Sequence, residues 1–223
     1  MRNYAIVLAA GQGTRFKSST PKQFIKIGNR YMLEYSIEVF QKHAKIDEII
    51  LVCPSTPYIS DIKTKFPKIS KIVSGGSQRQ DSVRLGLDVI TDNSGTVLIH
   101  DAARPLLTPD IIDKILDKVE DGCTAITAAI PMVDTIAQVD NEIIKSFPKR
   151  DQFVRIQTPQ AFSIEVLKKA HQMLLDRQDL TVTDDCSLVH FFQLAPIEIV
   201  LGSKNNFKIT EPSDLTLASK LLI

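Results

Sequence analysis

The sequence places residues that could bind a phosphate directly after its first apolar run. Gly11 and Gly13 allow the backbone to turn sharply there and to approach an anion closely. Successive backbone N–H groups in such a turn can cradle a phosphate, and Arg15 and Lys22 follow as charge-assisted donors. The pattern therefore predicts a phosphate-binding loop.

Two well-known glycine motifs do not fit this loop. A dinucleotide-binding motif requires a further glycine three residues after Gly13, where the sequence has Phe16. A Walker phosphate loop requires GxxxxGK followed by Ser or Thr, and the sequence does not contain that pattern. Because a bare Gly-x-Gly turn is often only structural, the interpretation depends on the two cations.

A second glycine pair, Gly75-Gly76, precedes a segment with a helical pattern. Gly76 would let a planar base approach the backbone, and the Ser82 hydroxyl could form a hydrogen bond with the edge of that base. The structural alternative stays open at this point: Ser77 caps the helix, and Arg79 is an ordinary surface residue.

Further candidate residues lie later in the sequence. Asp101 ends an apolar run, at the position where open α/β sheets bind ligands, and its carboxylate could hold Mg²⁺. We expect the neighbouring His100 to be a packed structural residue. Lys208 could bring a third cation to the same site. Thr183 is favoured as a helix N-cap rather than as a catalytic residue.

Short apolar runs alternate with helical patterns, and these elements must position the candidate residues. Such runs are typical of strands buried on both faces of a parallel sheet, and the alternation predicts an α/β fold. Helices are expected to begin near Met32, Pro109 and Ile164. The predicted strands cover residues 4–9, 48–53, 71–73, 96–99, 125–130 and 197–201.

One region, residues 134–155, interrupts this alternation. Two short β-prone pieces, residues 135–139 and 143–147, flank Asp140-Asn141-Glu142 and predict a β-hairpin. The hairpin is either an arm that extends from the body or an edge extension of the main sheet. Because there is no repeat or long linker, we predict a single domain over residues 1–223.

Composition limits the classes of function. The 223 residues include 27 Lys and Arg and 26 Asp and Glu, so a formal net charge of +1 argues against nucleic-acid or anionic-membrane binding. The sequence has neither a signal-peptide pattern nor an apolar stretch of about 18 residues. We expect Cys53, Cys123 and Cys186 to be buried free thiols of a cytoplasmic protein, since they lack zinc-ligand spacing.

Eight short strings, taken in order, resemble the 2-C-methyl-D-erythritol 4-phosphate cytidylyltransferase family of the non-mevalonate isoprenoid pathway. The resemblance runs from about Tyr4 to Leu222, and its specificity comes from the combination of strings. The strings are Leu8-Ala9-Ala10-Gly11-Gln12-Gly13-Thr14-Arg15, Pro21-Lys22-Gln23, Gly75-Gly76, His100-Asp101-Ala102-Ala103-Arg104-Pro105, Asp134-Thr135-Ile136, Gln157-Thr158-Pro159-Gln160, Thr183-Asp184-Asp185 and Asn206-Phe207-Lys208-Ile209-Thr210.

The resemblance implies a Rossmann-like nucleotidyltransferase fold with a mostly parallel central sheet, and a homodimer joined through the inserted β-arm. It implies transfer of the cytidylyl group of CTP to 2-C-methyl-D-erythritol 4-phosphate, with magnesium, giving 4-CDP-2-C-methyl-D-erythritol and pyrophosphate. The attacking phosphate is already ionised at neutral pH. Catalysis therefore requires no general base and consists mostly of alignment and charge stabilisation.

The resemblance also implies roles for single residues. Arg15 and Lys22 would bind the triphosphate and stabilise the transition state. Asp101 and Lys208 would lie near the α-phosphate, with Asp101 as the candidate metal ligand. The nucleotide site would be lined by Ala9, Ala10, Gly11, Gly13, Gly76, Ser82, Asp101 and Ala102.

The implied acceptor site lies on the hairpin. Thr135 and Arg150, together with Asp101, would contact the sugar phosphate, with the hairpin residues reaching the site of the neighbouring subunit. Family members commonly have Val-Asp-Arg where this chain has Pro148-Lys149-Arg150, so the arginine matches while its neighbours differ.

The nearest alternative is a ribitol 5-phosphate cytidylyltransferase, which shares the fold and most nucleotide motifs. That group tends to carry Asp-Ser-Val-Arg-Pro where this chain has Asp101-Ala102-Ala103-Arg104-Pro105, which favours methylerythritol phosphate. Phe16 argues against a Rossmann oxidoreductase. The presence of Arg15, Lys22 and Asp101 argues against a nucleotide-binding module without catalytic activity.

Overall fold

The protein, seen in a computed structural model, is described over residues 1–11, 16, 20–177, 180 and 182–222. The strands in chain order are β1 (Asn3–Leu8), β2 (Lys26–Ile27), β3 (Arg30–Tyr31), β4 (Glu48–Val52), β5 (Ile69–Val73), β6 (Thr96–Asp101), β7 (Ala125–Pro131), β8 (Gln138–Asp140), β9 (Ile143–Ser146), β10 (Val154–Ser163) and β11 (Glu198–Leu201). The α-helices are α1 (Met32–Lys42), α2 (Ile62–Lys65), α3 (Arg79–Asp88), α4 (Pro109–Glu120), α5 (Ile164–Leu175), α6 (Asp185–Phe191) and α7 (Pro212–Leu222).

The central sheet has seven strands in the order β11-β7-β10-β6-β1-β4-β5. Strand β10 runs antiparallel to both of its neighbours, and the other neighbouring pairs are parallel. The mostly parallel α/β fold is therefore confirmed. The chain leaves β1 on the β4 side and later returns to β6 on the other side, so a crevice forms between the carboxyl ends of β1 and β6.

The central strands of the sheet are buried on both faces, as the apolar runs predict, whereas the edge strand β11 leaves Ile199 and Leu201 exposed. Along β1, Val7 packs into a core with the helices α1 and α4, whereas Ile6 packs into a core with α3, α5 and α6. Successive side chains of a strand point to opposite faces, so a strand covered on both sides needs a continuous apolar run. All six predicted strands are present, with bounds within two residues of those expected.

The sequence patterns miss one strand of the sheet, β10. Its middle carries the polar side chains Gln157, Thr158 and Gln160, all buried, and Pro159, which interrupt the apolar run. The register of β10 with β7 shifts between Ile156 and Gln160, so the proline lies at an irregularity where pairing is interrupted.

The hairpin predicted within residues 134–155 is confirmed as a structure separate from the main sheet. Strands β8 and β9 form a two-stranded sheet of their own, so the alternative of an edge extension is wrong for these strands. Asn141 and Glu142 join them with φ of 47° and 63°, the left-handed conformation that a tight two-residue hairpin turn requires.

Two helix starts test the capping predictions. Helix α4 begins at Pro109 with Thr108 at the N-cap position, as predicted. For α6 the predicted N-cap Thr183 is wrong, because the extended residue at that position is Asp184. Its Oδ1 accepts a hydrogen bond of 2.8 Å from the backbone N–H of Ser187.

All three cysteines are free thiols, but only two of them are buried. Burial raises the pKa of Cys53 to about 11. The prediction of burial is wrong for Cys123, which is partly exposed and donates from its Sγ to the Glu198 carboxylate at 2.9 Å. Within the described residues, no helix has the length and apolar character needed to span a membrane.

Candidate active site

A cleft of about 230 Å³ opens at the carboxyl ends of β1 and β6, where Leu8 lies opposite Asp101 in the parallel register. Nine of the residues predicted from sequence line it together. They are Ala9, Ala10, Gly11, Lys22, Gly76, Ser82, Asp101, Ala102 and Lys208. Gly13 and Arg15 lie outside the described residues.

Side-chain to backbone hydrogen bonds hold the first wall of the cleft. Gln23 Nε2 donates to the Ala9 carbonyl oxygen at 2.6 Å, which ties the loop after β1 to the short 3₁₀ turn at Lys22–Phe24. Lys22 Nζ donates to the carbonyl oxygen of Ile209 at 2.8 Å. This bond brings Lys22 beside the segment that carries Lys208, so cations from both ends of the chain meet at one cleft.

The opposite wall is the glycine pair before α3. A Cβ at Gly75 would lie 2.2 Å from the Cβ of Ala10, so only glycine lets the two walls approach this closely. The Ser82 hydroxyl accepts from the Gly76 N–H at 3.1 Å and donates to the Gln78 carbonyl at 3.2 Å. Ser82 thus shapes the loop and keeps one acceptor lone pair.

The structural alternative for this segment is wrong on both counts. Gln78, and not Ser77, occupies the N-cap position of α3, while the Ser77 hydroxyl donates to Asp81 Oδ2 at 2.7 Å. Arg79 is not an ordinary surface residue, because its Nε donates to Asp101 Oδ1 at 3.2 Å inside the cleft. The sequence patterns do not reveal this role, because an arginine at the first residue of a helix is ordinary until its partners are known.

Asp101 is held between two cations. Arg79 takes one of its carboxylate oxygens, and Lys208 Nζ lies 2.6 Å from the other, Oδ2. Burial alone would raise the pKa of Asp101, but the charges of Arg79 and Lys208 outweigh it and lower that pKa well below its ordinary value. The carboxylate is therefore ionised throughout the neutral range.

His100 is a buried structural residue, as expected. Its Nδ1 lies 3.1 Å from Thr158 Oγ1 and its Nε2 lies 3.2 Å from the Arg104 carbonyl oxygen. Burial lowers the pKa of His100 to about 4, so the ring is neutral. Thr158 Oγ1 also accepts from the Asp101 N–H at 3.1 Å, so these contacts position the end of β6.

A second cavity of about 200 Å³ adjoins the first and shares Arg79, Asp101 and Lys208 with it. Arg104 and Gln160 are among its other lining residues. Among the described residues, the buried atoms Arg79 Nη2, Arg104 Nε and Gln160 Oε1 have no hydrogen-bond partner. Unpaired buried polar atoms are unfavourable, so this cavity is suited to a ligand that carries hydroxyl and phosphate groups.

The two predicted hairpin residues are not in this site. Within the described part of the chain, neither Thr135 nor Arg150 lines either cavity, and both are exposed. Arg150 Nη1 instead donates to the carbonyl oxygen of Val133 at 2.9 Å, which fixes its side chain along the base of the hairpin.

The fold and the cleft together define an α/β nucleotidyltransferase-like protein. The crystal structure of 4-diphosphocytidyl-2C-methyl-D-erythritol synthase from Anaerococcus prevotii has the same fold, with a TM-score of 0.84, 29% identity and coverage of 99% of this chain and 98% of that one. The family model of IspD, 2-C-methyl-D-erythritol 4-phosphate cytidylyltransferase, matches residues 4–223. The chain belongs to this family of cytidylyltransferases, as its sequence motifs indicate.

Two curated relatives differ in what they imply about the acceptor. The 2-C-methyl-D-erythritol 4-phosphate cytidylyltransferase of Syntrophotalea carbinolica is 38% identical, over 100% of this chain and 97% of that protein. The bifunctional ribulose 5-phosphate reductase/CDP-ribitol pyrophosphorylase Bcs1 of Haemophilus influenzae is 42% identical over 99% of this chain. The chain spans 48% of the length of Bcs1.

Proposed function

We propose that this chain transfers the cytidylyl group of CTP to 2-C-methyl-D-erythritol 4-phosphate, giving 4-CDP-2-C-methyl-D-erythritol and pyrophosphate. The observation that carries the proposal is the shared wall of Arg79, Asp101 and Lys208 between two adjoining cavities. A nucleotide in the first cavity and a polyol phosphate in the second would meet at this wall. Family membership supplies the expectation of CTP as the donor.

The first cavity suits the base and ribose of CTP. Small residues, Ala10 and Gly75 among them, bring its two walls close together, as a flat ring requires. The remaining lone pair of Ser82 Oγ can accept a hydrogen bond from the exocyclic amine of cytosine, whereas uracil has a carbonyl oxygen at the same place. This contact would favour CTP over UTP.

The transfer requires charge stabilisation rather than a base. An oxygen of the acceptor phosphate attacks the α-phosphorus, and the bond from that phosphorus to the bridging oxygen breaks. Pyrophosphate leaves with the electron pair. Lys22 and the predicted cation Arg15 would stabilise the triphosphate and the leaving group, while Lys208 would hold the α-phosphate and the acceptor in line. His100 takes no part, because both of its nitrogens already have partners in the fold.

We propose that magnesium takes part in the reaction, with Asp101 as its candidate ligand from the protein. Asp101 is the one carboxylate among the described residues of the first cavity. Magnesium commonly binds substrate phosphates, water and one or two carboxylates, so a single carboxylate fits it. When bound, the ion supplies positive charge that neutralises the triphosphate. Asp101 would reach it by giving up one of its two ion pairs.

The hairpin is proposed as a dimerisation arm. Its strands and base expose large apolar side chains, with relative accessibilities of 62% for Ile143 and 67% for Phe147, among others. Exposed apolar patches of this kind mark interaction surfaces. A second copy seated on the arm would bury these side chains and would place Thr135 and Arg150 at the acceptor cavity of the partner.

A second candidate acceptor is ribitol 5-phosphate. The specific observation in its favour is the 42% identity to Bcs1, a protein named as a CDP-ribitol pyrophosphorylase. The Pro148-Lys149-Arg150 string, which departs from the family pattern, lies on the arm that would touch the acceptor. Both acceptors carry a terminal phosphate and several hydroxyls, so the second cavity suits either class.

Pyrophosphate release with CTP and each acceptor in parallel tests the proposal. We expect kcat/KM for methylerythritol phosphate to exceed that for ribitol 5-phosphate at least about tenfold, the effect of one charge-assisted hydrogen bond. A reversed preference would assign the chain to the second candidate. Absence of release with both acceptors would overturn the proposed activity.

We also propose a cytoplasmic location, because all three thiols are free.

A further inference from the structure

A row of alternating charges leads from the cleft into the layer of helices α5 and α6. Lys208 and Arg79 hold the two oxygens of Asp101, at 2.6 Å and 3.2 Å. Arg79 Nη1 then donates to Asp185 Oδ2 at 2.6 Å. The other oxygen of Asp185 lies 3.0 Å from Nε2 of His171. Five side chains thus form one continuous array.

The inner end of this array is almost completely buried. The side chains of Asp185 and His171 are 1% and 2% exposed, and neither residue lines the two cavities in the described part of the chain. Burial would raise the pKa of Asp185, but Arg79 and His171 outweigh it and lower that pKa. Burying an ionised group is costly unless it is fully paired, so the arrangement calls for an explanation beyond packing.

We propose that Asp185 and His171 are positioning residues for the cytidylyl transfer, acting through Arg79. His171 fixes the Asp185 carboxylate, and Asp185 fixes one edge of the Arg79 guanidinium. Arg79 then contacts Asp101 only through its Nε, which donates to Oδ1. The other oxygen, Oδ2, is left to pair with Lys208. Without Asp185, Arg79 can turn and bind both oxygens of Asp101 in the bidentate geometry that arginine favours, and Lys208 loses its partner.

A second histidine–aspartate pair, with a buried histidine and an exposed aspartate, provides a control. His43 Nε2 lies 3.2 Å from Asp113 Oδ1, and the His43 side chain is 5% exposed. This pair joins the end of α1 to α4 on the opposite face of the sheet, and His43 lines neither of the two cavities. Substitution of His43 therefore removes a buried histidine and its bond to an aspartate without touching the array.

The first test compares His171→Gln and Asp185→Asn with His43→Gln. The expected result for the first two is a fall in kcat of about tenfold to a hundredfold, as small displacements of reacting groups produce, with KM for CTP changed less than about threefold. His43→Gln should retain kcat within about twofold. Equal losses of kcat in all three variants would overturn the proposal, because they would indicate a general effect of losing a bond between a buried histidine and an aspartate.

A double-mutant cycle with Lys208→Ala separates positioning from stability. If Asp185 acts through Arg79 and Asp101 on Lys208, the variant with both Asp185→Asn and Lys208→Ala should have a kcat within about threefold of Lys208→Ala alone. A merely structural role would make the two losses multiply, and that result would overturn the proposal. Thermal unfolding of each variant shows whether it is folded at the assay temperature.

The proposal rests on the proposed function, so one measurement must not depend on turnover. The chain has four histidines, which makes ring resonances of the wild-type protein assignable by NMR. Saturating CTP should shift the His171 resonances and leave those of His43 unchanged, because His171 is linked to the cleft through Asp185 and Arg79 whereas His43 is not. Unmoved His171 resonances would overturn the positioning role, whereas failure of both acceptors in the turnover assay would overturn the proposed function alone.

Discussion

The cleft buries a charged side chain, whereas the arm exposes apolar side chains to solvent. In the cleft, the charged Asp101 is buried, and each of its oxygens has a cationic partner from the same chain. In the arm, the apolar Phe147 and Ile143 are exposed, at 67% and 62%. Each arrangement is unfavourable for an isolated residue, but only the cleft supplies the compensating contacts within one chain.

This difference indicates how the two regions contribute to function. The cleft is organised in the single chain, and we expect it to bind a nucleotide without a partner. The arm has apolar surface and a predicted acceptor-binding residue, Arg150, which in the described part of the chain lines neither of the two cavities. Nucleotide binding should therefore survive loss of the proposed dimer, whereas use of the acceptor should not.

The largest expected effect concerns the cleft, in the variant Lys22→Ala. We expect kcat to fall about 10²–10³-fold, because a cation that stabilises developing negative charge in the transition state is lost. The control is Lys26→Ala, four residues further along and exposed outside the cleft, which should keep wild-type turnover. Near wild-type turnover of Lys22→Ala would contradict the proposed role of the cleft.

The second prediction is a pH dependence of stability that arises beside the cleft. The pKa of buried His100, about 4, lies below the ordinary 6.5, so the unfolded chain takes up the proton first. The stability that the neutral His100 ring contributes to the folded state is fully present above pH 6.5 and is lost as the pH falls through 4. This amounts to about 3 kcal/mol of unfolding free energy.

Urea unfolding between pH 7 and pH 4 measures this contribution. His100→Gln should flatten the dependence, while His190→Gln, which changes an exposed histidine, should leave it as in the wild type. A wild-type free energy of unfolding that stays constant over this range would contradict the neutral, buried ring.

The third prediction concerns the arm. Ile143→Asp combined with Phe147→Asp should convert the proposed dimer to a monomer, because each change places a charge in an apolar interface. Turnover should fall about 30-fold through loss of the partner's acceptor contacts, while the affinity for CTP stays unchanged. Analytical ultracentrifugation and CTP titration calorimetry check both points, with Glu142→Gln at the hairpin turn as the control.

If the double variant stays dimeric, or if it loses affinity for CTP, the arm and the cleft do not have the separate roles proposed for them. The first result would show that another surface joins the subunits. The second would show that the arm supports the nucleotide site as well.

The smallest expected effect is that of Arg150→Ala. Loss of one charge-assisted hydrogen bond to the acceptor phosphate should raise KM for the acceptor about tenfold and leave KM for CTP unchanged. Lys149→Ala, the adjacent exposed cation, is the matched control. Equal effects of the two substitutions would indicate a general electrostatic attraction and would sink the specific role of Arg150.

The fold was largely predictable, apart from the strand that carries polar site residues. Strands buried on both faces must be apolar throughout, so their runs are visible in the sequence. In β10 the buried positions Gln157 and Gln160 are polar because they form hydrogen bonds with neighbouring segments, Gln157 to Ser203 and Gln160 to Asp184. A pattern search based on apolar runs cannot detect such a strand.

The candidate site was predictable where a local motif marks it. The glycine turns, Lys22 and Asp101 are marked by residue type and spacing, and the structure places all of the described ones at one cleft. Arg79 was not recognised, since an arginine at the start of a helix is ordinary until its partners are known. Those partners, Asp101 and Asp185, are 22 and 106 residues away.

The sequence by itself determined the family, the alternation of strands and helices, and the residue types gathered at the carboxyl ends of the strands. These are local properties, because apolar runs, glycine turns and short motifs are each encoded within a few neighbouring residues. Only the tertiary structure decided which charges meet. The ion pair between Lys208 and Asp101 spans 107 residues, and the segment after β11 brings them together by packing beside the end of β6, where the Ile209 N–H donates to the Ala103 carbonyl oxygen at 2.8 Å.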